Sequence, residues 1–375
     1  MLQAPIVADR MVGVHAPIAL AVVIPTRNEA GNVVSLLASL DAVLDGLVWE
    51  AIFVDDDSQD GTARLIREIG RTNLRVRVLQ RVGRQGLASA VIEGMLATSA
   101  PVLAVIDADH QHDETLLPRL YAAVAEDGHD LAVGSRHAAG GGLGDWSSER
   151  RAASGLATAL AHRLLATPLS DPMSGYFVIA RGAFEEALPR LSGIGFKILL
   201  DIVASAPRPL RVVELPYVFR NRTVGESKLD LMVATEYLTL LLEKTVGRLV
   251  PVRLILFLMV GGLGLGVHLG VLGLVLATGL AAFVVAQGLA VGAAMTFNYA
   301  LNNVFTYRDR RRRGWAFVTG LLSFYAVCLV GAAANVGVGS LIYEADQSWW
   351  LSGVAGAVIG SVWNFAASSV VTWRK

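Results

Sequence analysis

The sequence predicts an α/β domain built on a mainly parallel, Rossmann-like sheet, followed by an all-α domain of four membrane spans. Three observations carry this expectation. Over residues 1–250, short β-branched runs alternate with helical stretches, the pattern of βαβ units whose sheet is covered by helices on both faces. From Pro251 onward, four apolar stretches each exceed the roughly 20 residues a helix needs to cross about 30 Å of hydrocarbon. The chain of 375 residues is 54% hydrophobic and 17% charged with a mean hydropathy of +0.52, richer in apolar residues than an ordinary soluble protein and too long for one hydrophobic core.

The elements follow in order. Residues 1–17 are read as an N-terminal extension. The apolar run Ile18–Ile24 is too short for a secretory signal and leads straight into Pro25-Thr26-Arg27-Asn28-Glu29, so Ala19–Ile24 reads as a strand. A helix from about Asn32, a strand Ala51–Val54, a helix from about Thr62, a strand Val76–Leu79, a helix from about Leu87 and a strand Val102–Ile106 continue the alternation. This domain is assigned residues 18–228. In 229–250, Leu231, Ala234, Leu238, Leu241, Leu242 and Val246 recur at helical intervals, which predicts an amphipathic helix lying on the membrane surface. The membrane domain is assigned 251–375, with spans at about 254–279, 280–305, 315–343 and 349–373. The run Gly261–Gly266 suits close helix contact in lipid, and tryptophans such as Trp315, Trp349 and Trp373 fall at span ends, where amphipathic rings favour the headgroup region.

Charge gives orientation. The formal net charge is zero, yet residues 251–375 carry eight Lys or Arg against three Asp or Glu, while residues 1–250 carry 24 against 29. Arg310-Arg311-Arg312-Arg313 and the terminal Arg374-Lys375 place those segments, both termini and the domain 18–228 on the cytoplasmic side. A multi-pass protein of a lipid bilayer, in a prokaryote the plasma membrane, is expected, and no nucleic-acid partner. The single cysteine, Cys328, excludes an intrachain disulfide and a Cys-based zinc site.

In open α/β sheets ligands bind beyond the carboxyl ends of the strands. After the first strand stands Pro25-Thr26-Arg27-Asn28-Glu29, and after the second Asp55-Asp56-Asp57-Ser58-Gln59-Asp60. No glycine fingerprint follows the first strand, and Gly83-Arg84-Gln85-Gly86 lacks the required spacing, which argues against a dinucleotide-dependent redox enzyme. After the fourth strand comes Asp107-Ala108-Asp109-His110-Gln111-His112. Residues two apart on an extended chain project to one side, so Asp107 and Asp109 converge at the strand's mouth, as two hard ligands for Mg²⁺ or Mn²⁺ carrying a diphosphate. The plainer reading, a solvated acidic turn, is weakened because this is the third acidic strand end in series. His110 and His112 read as turn histidines, solvated or bonded to backbone, rather than as metal ligands.

Taken together these segments resemble family 2 glycosyltransferases of the GT-A fold, and more closely the dolichol- or polyprenol-phosphate mannose synthases. The resemblance runs from about Ile18 to Leu231 and is carried by Pro25–Glu29, Val54–Ser58, Gly86-Leu87, Asp107–His112, Gly134-Ser135-Arg136, Ser170–Gly175, Gly195–Leu199 and Gly225–Lys228. The membrane portion resembles the GtrA-type four-span domain through Phe297-Asn298-Tyr299 and Asn302–Thr306.

The resemblance implies three sub-sites. Pro25, Arg27, Glu29, Val54 and Asp56 would hold the nucleotide, although Arg27 stands where the family usually carries an aromatic residue, and Glu29 alternatively serves the helix dipole. Asp107, Ala108, Asp109 and Gln111 would bind the metal and diphosphate, assisted by Arg222 and Lys228, which otherwise read as a juxtamembrane basic patch. Arg136, Arg150 and Ser154 would hold the acceptor phosphate, the last two being four apart on one helix face. Asp171 either positions sugar hydroxyls or caps a turn. The implied substrates are GDP-mannose and a polyprenyl or dolichyl phosphate, joined in one inverting displacement. No strong general base is needed, because a lipid monophosphate is already ionised near neutral pH. UDP-glucose is the alternative donor. A lipid-linked sugar flippase regulated by the soluble domain is the rival from another class.

Overall fold

The computed structural model describes residues 16–142, 167–193, 195–220, 231–245, 250–279, 282–307, 310–346 and 349–374, with scattered positions between 155 and 165. These fall into two units divided after Thr245.

The first unit is a seven-stranded sheet. Its strands are β1 (Leu20–Thr26), β2 (Trp49–Asp55), β3 (Val76–Gln80), β4 (Val102–Val105), β5 (Leu131–Ser135), β6 (Phe177–Ala180) and β7 (Val212–Pro216), in the order β3-β2-β1-β4-β6-β5-β7. All pairings are parallel except those of β6, which runs antiparallel to both β4 and β5. Every residue of β2 and β4 is buried. That is why these strands read as continuous apolar runs rather than as alternations.

Alternate residues of β1 serve opposite faces. Leu20, Val22 and Ile24 pack with Val33, Leu36 and Leu40 of α1 (Ala30–Val43), Ile66 of α2 (Thr62–Gly70) and Leu117 and Leu120 of α4 (Leu117–Ala125). Ala21 and Val23 pack with Val91 and Met95 of α3 (Leu87–Leu96), Phe184 of α5 (Arg181–Ala187) and Leu199 and Ile202 of α6 (Ile198–Ser205). The period of two thus builds two cores on one sheet.

The helix expected on the membrane surface is α7 (Leu231–Thr245), and it belongs to this unit. Leu240 is buried against Ala161, Met173 and Leu200, with Tyr237 and Leu241 beside them. Lys244 Nζ pairs at 2.5 Å with Asp201, which is fully buried, and donates to the Arg190 carbonyl and Ser205 Oγ. At these positions the apolar stripe is taken up by protein rather than by lipid.

The second unit holds α8 (Val252–Ala277), α9 (Phe283–Val304), α10 (Trp315–Asp346) and α11 (Trp349–Ala367), the last continued by a π-helical turn over Ser368–Thr372. Its pattern is inverted relative to a soluble protein. Leu263, Leu265, Leu269, Leu274, Leu289, Leu322 and Leu329 are exposed, while Asn302 and Asn303 are buried. Such a surface suits hydrocarbon, and among the described residues Val252–Ala277 and Trp315–Ala334 are long and apolar enough to cross a membrane. A Cβ at Gly264 would overlap the Asn298 amide, so glycine lets α8 and α9 approach here. Trp373 departs from expectation. It is fully buried, stacked on Tyr307 with centroids 4.0 Å apart, and its indole N–H donates to Asn303 Oδ1. It belongs to the unit's core, because the amide supplies inside the protein the partner that headgroups would otherwise offer.

Candidate active site

The carboxyl ends of β1, β2 and β4 share one edge of the sheet. Asn28, Asp57 and His110, each just past one of these strands, all have φ of 58°. Among the described residues no other non-glycine residue has positive φ. Three costly left-handed conformations on one edge mark it as the place where backbone geometry serves something other than stability.

The acidic run after β2 divides into architecture and site. Asp55 accepts from the Ser58 amide and hydroxyl, and Asp60 accepts from the Ala30 and Thr62 amides. The Asn28 amide donates to Ser58 Oγ, and Asn28 Oδ1 accepts from the Gln59 amide. These bonds lock the β1 and β2 mouths together. Asp56, also buried, turns the other way. It accepts from Arg81 Nη1 at 2.7 Å and from the Gly86 amide at 2.7 Å. Arg81 is buried, and its guanidinium also reaches the Gly86 carbonyl and Ser89 Oγ. Sequence reasoning missed this residue. Its signal was position, since Arg81 is the first residue beyond β3.

The other predicted nucleotide residues lie along the same edge. Pro25 is in β1 and Val54 is buried in β2. Arg27 is exposed after β1, and Glu29 precedes α1, where its Oε2 accepts from Asn32 Nδ2 at 2.7 Å.

Asp107-Ala108-Asp109 follows β4. Asp107 Oδ2 accepts from His112 Nε2 at 3.2 Å, and a Cβ at Gly175 would stand only 3.0 Å from the same oxygen. Glycine there keeps space beside the carboxylate. Asp109 is buried and its Oδ1 accepts from the Gln111 amide at 3.2 Å. The Gln111 amide group is itself oriented, because Nε2 donates to the Arg220 carbonyl. This leaves Oε1 as the atom the side chain could offer to a metal.

Among the described residues, no three His, Cys, Asp or Glu side chains are grouped to hold a metal. Two carboxylates and an amide oxygen do not make a protein cage. They do fit Mg²⁺ or Mn²⁺ that draws its remaining oxygens from phosphate and water.

The two histidines are not solvated turn residues. His110 Nε2 meets Ser35 Oγ at 2.8 Å, and its Nδ1 meets Glu114 at 2.7 Å. His112 is buried among aromatic rings and bonded through both nitrogens. The causes differ: His110 is held between α1 and Glu114, whereas His112 lies where the loop after β4 meets the segment 217–220 and bonds to Tyr217 instead of water. Arg220 seals that contact by pairing with Asp113 and Glu114 at 2.7 and 2.8 Å.

Arg136, just past β5, is buried, and two of its guanidinium N–H groups donate to Asp171 at 2.7 and 2.8 Å while its amide donates to the same carboxylate. Its Cζ lies 5.4 Å from the centre of the Phe219 ring. Burial works to raise the pKa of Asp171, but the bonds and charge of Arg136 outweigh it and hold the carboxyl below its ordinary value. The Ser170 and Asp171 amides donate in turn to Glu214 of β7. Asp171 is thus neither a turn cap nor open to solvent; it fixes Arg136. The predicted Arg150, Ser154, Arg222 and Lys228 lie outside the described residues.

Residues 21–188 match the family described as Glycosyl transferase family 2, and residues 256–373 match GtrA/DPMS, transmembrane domain. A dolichol-phosphate mannosyltransferase of Pyrococcus furiosus is 33% identical over 360 residues, covering 94% of this chain and 99% of that protein. One from Saccharomyces cerevisiae is 35% identical over 64% of this chain and 91% of its own length. A polyprenol monophosphomannose synthase of Mycolicibacterium smegmatis is 32% identical over 56% of this chain and 80% of its own. Among solved structures, glucosyl-3-phosphoglycerate synthase of Mycobacterium tuberculosis overlaps 60% of this chain and 79% of its own at 22% identity, with a TM-score of 0.45.

Proposed function

The chain belongs to the dolichol-phosphate mannosyltransferase family of the family 2 glycosyltransferases, and on that premise we propose that it moves mannose from GDP-mannose to a polyprenyl monophosphate in one inverting displacement. Glycosyl transfer itself, with mannose delivered to a membrane polyprenyl phosphate, follows from the family. The donor, the metal, the stereochemistry and the residue roles are our reading.

The observation that carries it is the pair Asp107 and Asp109 at the mouth of β4, with space beside Asp107 kept by Gly175. Asp107, Asp109 and the Oε1 of Gln111 would hold Mg²⁺ or Mn²⁺. When bound, such an ion neutralises charge on a departing diphosphate. Asp56, with Arg27 and Glu29 at the end of the neighbouring strand β1, is assigned the nucleotide, guanine being able to donate N–H bonds to a carboxylate. Pro25 and Val54 shape the floor of that sub-site, and Ala108 passes the backbone beside the diphosphate.

Arg136 supplies a fixed cation to the phosphate groups, its direction set by Asp171. Arg150 and Ser154 are assigned to the acceptor phosphate, and Arg222 and Lys228 to the diphosphate. The acceptor arrives as an anion, so the protein aligns it and balances charge and has no proton to abstract.

The test is a donor panel of GDP-mannose, UDP-glucose and UDP-GlcNAc with a short polyprenyl phosphate and Mn²⁺, run on wild type and Asp109→Ala. Labelled lipid from GDP-mannose alone, lowered about 100-fold or more in Asp109→Ala, is expected from the several kcal/mol such an ion supplies. Preferential transfer from UDP-glucose would overturn the donor. Undiminished transfer by Asp109→Ala would overturn the metal assignment.

A further inference from the structure

His112 lies between two oxygens. Nδ1 is 2.8 Å from Tyr217 Oη, and Nε2 is 3.2 Å from Asp107 Oδ2. The direction of both bonds follows from elementary chemistry. An ionised carboxylate can only accept, so the proton of that contact sits on Nε2. In the neutral imidazole Nδ1 then accepts, and the Tyr217 hydroxyl donates to it. The environment agrees. Burial pushes the Tyr217 phenol far above its usual range, so it keeps its proton. The reverse direction would leave the phenol proton, in a pocket almost closed to water, without its His112 acceptor.

The imidazole has little freedom to turn. Its centroid lies 5.1 Å from the ring of Tyr176, 5.7 Å from that of Tyr217 and 5.5 Å from that of Phe219. Tyr176 is anchored by a bond to the Asp113 carbonyl. The arrangement joins the loop after β4 to the strand end of β7, 105 residues further along the chain.

We propose that Tyr217 and His112 are positioning residues that orient the Asp107 carboxylate, through Tyr217 Oη–H to His112 Nδ1 and His112 Nε2–H to Asp107 Oδ2. One oxygen of Asp107 is thereby held by the protein while the other is aimed at the metal. This rests on the reading of Asp107 as a metal ligand. Partners that orient a ligand in this way change metal affinity by about 10- to 100-fold when removed.

The experiment is a Mn²⁺ titration of the full chain in detergent with GDP present, followed by electron paramagnetic resonance of free Mn²⁺, on wild type, Asp107→Ala, His112→Ala, His112→Gln and Tyr217→Phe. Asp107→Ala should lose Mn²⁺·GDP binding. His112→Ala and Tyr217→Phe should weaken it by about 10- to 100-fold, and His112→Gln, which retains a donor toward Asp107, should recover part of the loss. Tyr217→Phe keeps the ring in its aromatic cluster, so it serves if His112→Ala does not fold. Wild-type Mn²⁺ affinity in both His112→Ala and Tyr217→Phe, beside a loss in Asp107→Ala, would overturn the positioning role alone. Wild-type affinity in Asp107→Ala would overturn the metal reading on which it rests.

Discussion

A buried arginine is informative through what holds it. Arg136 and Asp171 form a bidentate pair with almost no access to water, and two buried charges are costly unless both are satisfied. A chain seeking stability alone would do as well with apolar side chains of similar volume. The pair is therefore read as positioning, with Asp171 setting the angle at which Arg136 meets an anion. Removing one partner strands the other. Asp171→Asn should destabilise the first unit by about 3–5 kcal/mol, seen in thermal unfolding. Per folded enzyme it should also lower transfer at saturating donor, because Arg136 keeps its charge but loses the carboxylate that sets its angle. Equal stability and equal transfer in Asp171→Asn would mean the pair has no such role.

At the scale of elements, one carboxylate reinforces the pairing of β5 with β7. Asp130, one residue before β5, accepts from the Arg211 amide at 2.8 Å and pairs with Arg208, also at 2.8 Å, joining the start of β5 to the approach to β7. The Arg208 hydrogen bond, against burial, holds the Asp130 carboxyl well below its ordinary value. A depressed carboxylate contributes stability above its unfolded pKa of about 3.9 and loses that contribution as pH falls through the folded value. The melting temperature of wild type should therefore fall progressively from about pH 5 downward, most steeply below about pH 4, and Asp130→Asn should show a shallower fall over the same range. An identical pH profile would remove Asp130 from the account. The element scale also shows where the sequence was readable. Strands β1, β2 and β4 stood out because burial on both faces gives them continuous apolar stretches, and β3 through the alternation Val76-Arg77-Val78. β7 reads Val-Val-Glu-Leu-Pro and is half-buried throughout, so it did not announce itself. The antiparallel insertion of β6 between β4 and β5 depends on pairing, which no local pattern encodes. The same limit applies to the site. Asp56, Asp107 and Asp109 are legible as acidic strand ends, whereas the contacts Arg81–Asp56, Arg136–Asp171 and Tyr217–His112 join residues 25, 35 and 105 positions apart.

At the scale of the whole molecule, the zero net charge is a cancellation between an acidic first part and a basic second part, and the distribution within the second part predicts an orientation. Of its eight cations, four are Arg310–Arg313 and two are the last residues of the chain. If each of α8 to α11 crosses once, the connection between α9 and α10 shares a side with both ends of the unit. All six of those cations then face the cytoplasm, where positive charge is retained. On that arrangement the turn between α8 and α9, at Thr278, is expected to face outward. This is testable without disturbing the site, because Cys328 is the only cysteine and Cys328→Ala gives a blank background. In that background, Thr278→Cys should react with a membrane-impermeant maleimide added to intact cells. Arg313→Cys should react only after the membrane is opened. The reverse pattern would overturn the expected topology. Labelling of both positions in intact cells would mean that α9 does not cross.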